Sequence, residues 1–111
     1  MNIQTQQCGA VTVVKPDGPL TFAEAEEFKT TFLDVMKDTL GRVILDASAI
    51  AYVDSRGLGV LVDVTRELAQ SGKVLKLCAV NKTVRQVIDL TGLSPQFEHF
   101  EDTNSAVRSF L

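Results

Sequence analysis

A serine, an aspartate and two glycines stand together in Tyr52-Val53-Asp54-Ser55-Arg56-Gly57-Leu58-Gly59. They follow an apolar strand signal, Val43-Ile44-Leu45-Asp46, and open a helical pattern, so Ser55 falls in the first turn of a predicted helix. A helix N-terminus has unpaired N–H groups and the positive end of the helix dipole, and it tolerates a phosphate. The chemistry this arrangement suits is a switch by phosphorylation. A phosphate would add about −1.5 to −2 charges, moving the chain from its net −3 to roughly −5, with the change concentrated beside Asp54. A partner packed on that spot would meet a few kcal/mol of desolvation and repulsion, enough to weaken binding by about two decades or more. Asp54 is read as a helix cap and as a polar neighbour orienting the serine hydroxyl. Gly57 and Gly59 keep the turn free of bulk and allow close backbone approach by a kinase or partner. Residue types alone favour a plainer reading of Ser55, an ordinary capping or first-turn serine.

Other chemistries fit less well. A hydrolase nucleophile on a strand-to-helix turn needs Gly-x-Ser-x-Gly, and Val53 stands where the first glycine belongs. His99 is the one imidazole, with no second His or Cys near it at metal-ligand spacing, so neither a general base nor a metal site is expected. An aspartyl phosphoacceptor at Asp46 would need acidic residues after the first strand to hold Mg²⁺, where this chain has Gln6-Gln7-Cys8. No phosphate-binding Gly-x-x-x-x-Gly-Lys-Ser/Thr loop is present. The expectation is a binding module that is not an enzyme and uses no cofactor.

Composition agrees with one compact domain over residues 1–111. Apolar residues make up 45% and charged residues 23%, the balance of a globular chain. A net charge of −3 without a basic stripe argues against nucleic acid as partner. No apolar run approaches a membrane span, so direct membrane insertion is not expected. The opening Met1–Gln7 lacks the charge and apolar core of a secretory signal. With Cys8 and Cys78 read as buried thiols, the expected setting is a reducing cytoplasm.

The elements that must position Ser55 are legible in order. Ile3–Cys8 and Ala10–Lys15 read as a hairpin turning at Gly9, broken by Pro16-Asp17-Gly18-Pro19. Thr21 and Glu24 fit a capping box opening a helix whose face is Phe22, Ala25, Phe28, Phe32, Val35 and Met36, terminated at Gly41. Val43-Ile44-Leu45 suits a strand covered on both faces. A second helix, about Ser55 to Ser71, would bury Leu58, Leu61, Val62 and Leu68. Val74–Val80 is a strand. A third helix, capped by Asn81 or Thr83, buries Val84, Val87 and Ile88 and closes at Gly92. Phe97–Phe100 and Thr103–Leu111 read as a last strand and helix, the helix burying Ala106, Val107 and Phe110. The order β-β-α-β-α-β-α-β-α predicts an α/β domain, a mixed sheet of four to five strands with about four helices and an antiparallel edge.

Three blocks in this order resemble the STAS family, the domain of bacterial anti-sigma factor antagonists: Val43–Asp46 with Tyr52–Gly59, Gly72–Val80, and Val84–Leu93 ending in a Gly-Leu pair. The resemblance covers nearly the whole chain. It implies that Ser55 is phosphorylated by an anti-sigma factor that is also a serine kinase, and that a phosphatase reverses this. It implies further that the unphosphorylated form binds the anti-sigma factor and so releases a sigma factor. The partner-facing surface would be the Ala47–Tyr52 loop and the start of the second helix, with Ala49, Tyr52, Asp54, Ser55, Arg56 and Leu58 in contact. Arg56 departs from the family, which often has a small residue there; most simply a solvated surface cation, it would otherwise help bind a phosphate, pair with Asp54 or clash with a kinase expecting a small neighbour. Family members without a sigma-factor partner provide the alternative, a scaffold or subunit of a stress-signalling or lipid-transport complex with no phospho-switch. The free chain is expected to be a monomer.

Overall fold

The structure is a computed structural model that describes all 111 residues. Strands β1 (Asn2–Cys8) and β2 (Val11–Asp17) form a hairpin and lead into helix α1 (Phe22–Asp38). Strand β3 (Val43–Asp46), helix α2 (Ser55–Ala69), strand β4 (Leu75–Cys78) and helix α3 (Lys82–Leu90) follow. A single 3₁₀ turn (Ser94–Gln96), strand β5 (Phe97–Phe100) and helix α4 (Thr103–Arg108) complete the chain. The five strands lie in sequence order, β1 antiparallel to β2 and the rest parallel. The expected α/β architecture, with its antiparallel edge, is the one observed.

That strand order dictates where the helices go. Each β-α-β crossover steps to the next strand in the same direction, and each is right-handed, so α1, α2 and α3 must share one face of the sheet. A cluster of 19 buried residues fills the space beneath them, among them Phe28 and Phe32 of α1, Val60, Leu61, Val64 and Leu68 of α2, and Val84 and Ile88 of α3. Side chains alternate along a strand, so Val43 and Leu45 enter this cluster while Ile44 points to the opposite face. There Ile44 meets Val11, Val13, Cys78 and Ala106 under α4. The uninterrupted apolar run of β3 follows from this burial on both faces. Cys78 is a fully buried thiol and Cys8 a half-buried one.

Several local expectations change. β2 continues through Pro16 to Asp17, paired only with β1 there because the β3 ladder ends at Val14, so the missing proline N–H is not needed on the inner side. Leu61 and Leu68 are buried as expected, but Leu58 and Val62 are only half-buried, and Val60 and Val64 are buried in their place. β4 is shorter than the apolar run around it, leaving Val74 exposed. The last helix stops at Arg108, with Ala106 buried and Val107 and Phe110 partly so.

Phe22 differs most from expectation: it is 78% exposed. Helical side chains lean toward the N-terminus, so a side chain at the first helical position points off the end of the helix, past the core. Its spacing from Ala25 and Phe28 matches the buried face, but nothing lies beneath it.

Candidate functional site

Ser55 is the first residue of α2 and is exposed. Its hydroxyl has no hydrogen-bond partner within the chain, which leaves it free for chemistry from outside. The neighbouring carboxylate is fully engaged elsewhere. Asp54 Oδ1 accepts the Gly57 N–H at 2.8 Å, capping α2, and Oδ2 accepts the Phe22 N–H at 2.9 Å, capping α1. One carboxylate thus holds two helix N-termini together. These backbone N–H groups, Gly57 first and then Phe22, hold the Asp54 pKa below the ordinary carboxylate value. Asp54 therefore orients the two helices, and the Ser55 hydroxyl lies beside it without a bond to it.

The capping box expected at Thr21 is replaced by this arrangement. Thr21 donates its hydroxyl to the Glu24 carboxylate at 2.5 Å and makes no side-chain cap, since the Asp54 carboxylate takes the first N–H of α1. Arg56 pairs with Glu26 of α1 and not with Asp54. Both partners are well exposed, so the pair adds little stability, though it sets a cation and an anion beside Ser55.

The two glycines separate. Gly57 is buried, and a Cβ there would lie 2.1 Å from the Leu20 carbonyl oxygen, so its bareness admits the chain's own backbone. Gly59 has nothing within 4 Å of a Cβ and is free of internal packing demands.

The loop before Ser55 is held from several sides. Ser48 N–H donates to Asp46 Oδ1 at 2.9 Å, folding the exit of β3. Gly18 N–H donates to the Ala49 carbonyl and Leu20 N–H to that of Tyr52, each at 3.0 Å. Asn81, which caps α3 through the Val84 N–H at 2.8 Å, also donates its side-chain amide to the carbonyls of Ile50 (2.9 Å) and Ala51 (3.2 Å). Ile50 and Val53 are buried beneath. The loop is a fixed platform, held by residues from three different segments.

Of the residues expected to meet a partner, Tyr52, Ser55 and Arg56 are exposed, while Ala49, Asp54 and Leu58 are half-buried. Phe22 joins this surface unforeseen: the Asp54 bond ties its backbone to the start of α2, leaving its ring exposed near Ser55. Two exposed aromatic side chains, Phe22 and Tyr52, thus belong to the segments that meet at Ser55. None of the three principal surface grooves includes Ser55; the largest, about 430 Å³, runs between the C-terminal ends of α1 and α2, at the opposite end of both helices. The arrangement offers an exposed surface outside those grooves, with a free hydroxyl, suited to contact with a macromolecule. No helix is long and apolar enough to cross a membrane.

Comparison with known proteins agrees with this fold. An anti-sigma-B factor antagonist of Staphylococcus epidermidis is 27% identical over 93 residues, covering 84% of this chain and 86% of that protein. A Thermotoga maritima protein, crystallised as a candidate anti-sigma factor antagonist, superposes with a TM-score of 0.88 at 23% identity, covering 96% of this chain and 92% of its own. The anti-sigma factor antagonist SpoIIAA in its unphosphorylated form superposes with a TM-score of 0.73 at 16% identity, covering 98% and 96%. The STAS domain pattern matches residues 2–106, nearly the whole chain, and the chain belongs to the STAS domain family.

Proposed function

We propose that this chain is an anti-sigma factor antagonist switched by phosphorylation at Ser55. Unphosphorylated, it binds an anti-sigma factor that is also a serine kinase and thereby frees a sigma factor. A phosphate on Ser55 ends that binding, and a phosphatase restores it. The observation that carries this reading is the Ser55 hydroxyl, unpartnered and exposed at the start of a 15-residue helix whose first turn is already capped by Asp54. The helix dipole favours negative charge there, so the domain itself has no reason to unfold. A kinase can reach the hydroxyl without opening the fold.

The charge argument explains how such a mark acts. Glu24, Glu26 and Asp54 all lie on the helix turns that meet at Ser55, and the one cation among them, Arg56, is already paired with Glu26. A phosphate would build on an acidic surround and would meet any acidic or apolar partner surface at close range. Phe22 and Tyr52 supply aromatic contact area of the kind that dominates interface energetics. SpoIIAA has also been solved in a phosphorylated form, which supports the same chemistry here.

The test is intact-mass analysis with peptide mapping of the protein from its own cells, before and after phosphatase treatment. A phosphate-sized increment on Ser55, removed by phosphatase, is the expected result. Its absence under every growth condition would move the reading to a scaffold or complex subunit without a switch. Ser55→Asp should retain wild-type stability within about 0.5 kcal/mol, as exposed substitutions do, while Ser55→Ala should bind the anti-sigma factor constitutively. Wild-type affinity of Ser55→Asp for that partner would sink the charge argument.

A further inference from the structure

The outer edge of the sheet is β1, and its chemistry differs from that of the opposite edge. β5 has four residues and carries Glu98, while α4 follows directly and packs against it. β1 has seven residues, and its register with β2 runs without interruption from Asn2↔Asp17 to Cys8↔Val11, so no bulge twists it away. From Asn2 to Ala10 there is no charged residue and no proline. Asn2, Gln4, Thr5, Gln6 and Gln7 are all exposed. Natural sheets usually blunt an open edge with charge, proline, a bulge, brevity or a covering element. This edge has none of them.

The direction of its free groups follows from the hairpin. A two-residue loop, Gly9-Ala10, closes on the pair Cys8↔Val11, which makes that pair hydrogen-bonded, and every second pair after it likewise: Gln6↔Val13, Gln4↔Lys15 and Asn2↔Asp17. The intervening residues, Ile3, Thr5 and Gln7, therefore turn their N–H and C=O groups outward.

We propose that β1 is a homodimer interface, in which two copies of this chain pair antiparallel about a two-fold axis at Thr5. In that register Thr5 faces Thr5 of the second copy, and Ile3 faces Gln7 in both directions. Each of these three pairs exchanges two backbone hydrogen bonds, so every outward N–H and C=O of both strands is satisfied. Gln4 then faces Gln6, and Thr faces Thr, pairs that suit each other across strands. A second copy is the occupant this strand fits: β1 carries no charge to repel its own image across the axis, and the antiparallel register at Thr5 matches the strand to itself with no outward backbone group left over. The product is one continuous ten-stranded sheet. β3, which leads to Ser55, and β1 are separated by β2, so both Ser55 surfaces stay open and the dimer is bivalent. The dimer replaces the free monomer expected from sequence and does not depend on whether Ser55 is phosphorylated.

The test is sedimentation velocity on the full chain from micromolar to millimolar concentration, with amide hydrogen exchange at both ends of that range. The expected species grows with concentration from 12.1 kDa to twice that mass, and the amides of Ile3, Thr5 and Gln7 become protected in step. Thr5→Pro removes an outward N–H while leaving the β2 ladder intact, and Thr5→Lys sets two cations against each other on the axis. Each variant, verified as folded by circular dichroism, should dimerise about tenfold or more weakly. A monomer at every concentration, open-ended polymers, or a dimer in which those three amides stay unprotected would overturn the proposal. Since the exchange measurement needs no variant, it decides the matter even if a substitution fails to fold.

Discussion

Adding one methyl group at Gly57 and one at Gly59 should move stability in opposite directions. Both glycines are in the first two turns of α2, and neither has a positive φ. At Gly57 an added Cβ would sit 2.1 Å from the Leu20 carbonyl oxygen, 3.0 Å from its carbon and 3.2 Å from its Cγ. The obstacle is backbone, buried, and fixed by other bonds: Leu20 O accepts the Asp54 N–H at 3.3 Å, and Leu20 is bridged to Val53. Relief requires α2 to back away by about an ångström, since Cβ contacts below 3.0 Å are essentially never tolerated. Overpacking of this kind costs about 1–3 kcal/mol. The shift also stretches the Asp54 N–H···O bond and the Phe22 N–H···Asp54 bond, each worth about 1 kcal/mol net. Against these stands the gain of about 0.8–1 kcal/mol for alanine over glycine in a helix. The balance for Gly57→Ala is a loss of about 2–4 kcal/mol, or roughly 10–20 °C in Tm for a domain of this size. Gly59→Ala meets nothing within 4 Å and should keep most of the propensity gain, raising Tm by about 2–5 °C. Thermal and urea unfolding of both variants beside the wild type would measure this directly. A Gly57→Ala protein as stable as wild type would show that α2 is not seated against Leu20 as described.

Three further substitutions probe the site's construction. Phe22→Ala should leave stability within about 0.5 kcal/mol of wild type, because the ring is exposed, yet weaken binding to the anti-sigma factor about tenfold or more in calorimetry; unchanged affinity would remove Phe22 from the interface. Asp54→Asn tests the lowered pKa. A group whose folded pKa lies below its unfolded value contributes stability above the unfolded pKa and loses it as pH falls through the folded one. The deficit of Asp54→Asn in chemical denaturation should therefore be largest near neutral pH and shrink as pH falls below the ordinary carboxylate range. Asn81→Ala removes both the α3 cap and two bonds to the loop before Ser55, and should cost about 1–3 kcal/mol. Hydrogen exchange in residues 47–53 should rise with it; a loop as protected as in wild type would show that Asn81 does not anchor it.

The order of elements was legible because each obeys a local rule. The turn at Gly9 marks the β1–β2 hairpin, an uninterrupted apolar run marks β3, and 3.6-residue spacing marks α1 and α3. Gly41 and Gly92, expected to terminate helices, both have positive φ, as such terminators require, and so does Gly72 just past α2. Ser55 was placed at the first position of α2 for the same local reason, since Asp54 is a good cap. Periodicity is a poor guide at helix ends. Phe22 fits the buried face by spacing but stands beyond the edge of what that face covers. On α2 the spacing points rightly to Leu61 and Leu68, but Val60 and Val64 are buried where it points to Leu58 and Val62, because α1 packs along α2 and shifts the covered arc.

The sequence by itself determined the architecture and the candidate serine, because strand order, crossover handedness and helix caps follow from residues close together in the chain. Tertiary structure decided what surrounds that serine. The Asp54 carboxylate bonds to a helix 32 residues earlier, Arg56 pairs with Glu26, Gly57 makes room for Leu20, and Asn81 secures the loop from 30 residues away. Each of these contacts joins segments that no local pattern relates. They exist only once three right-handed crossovers have brought the starts of neighbouring helices to one end of the sheet.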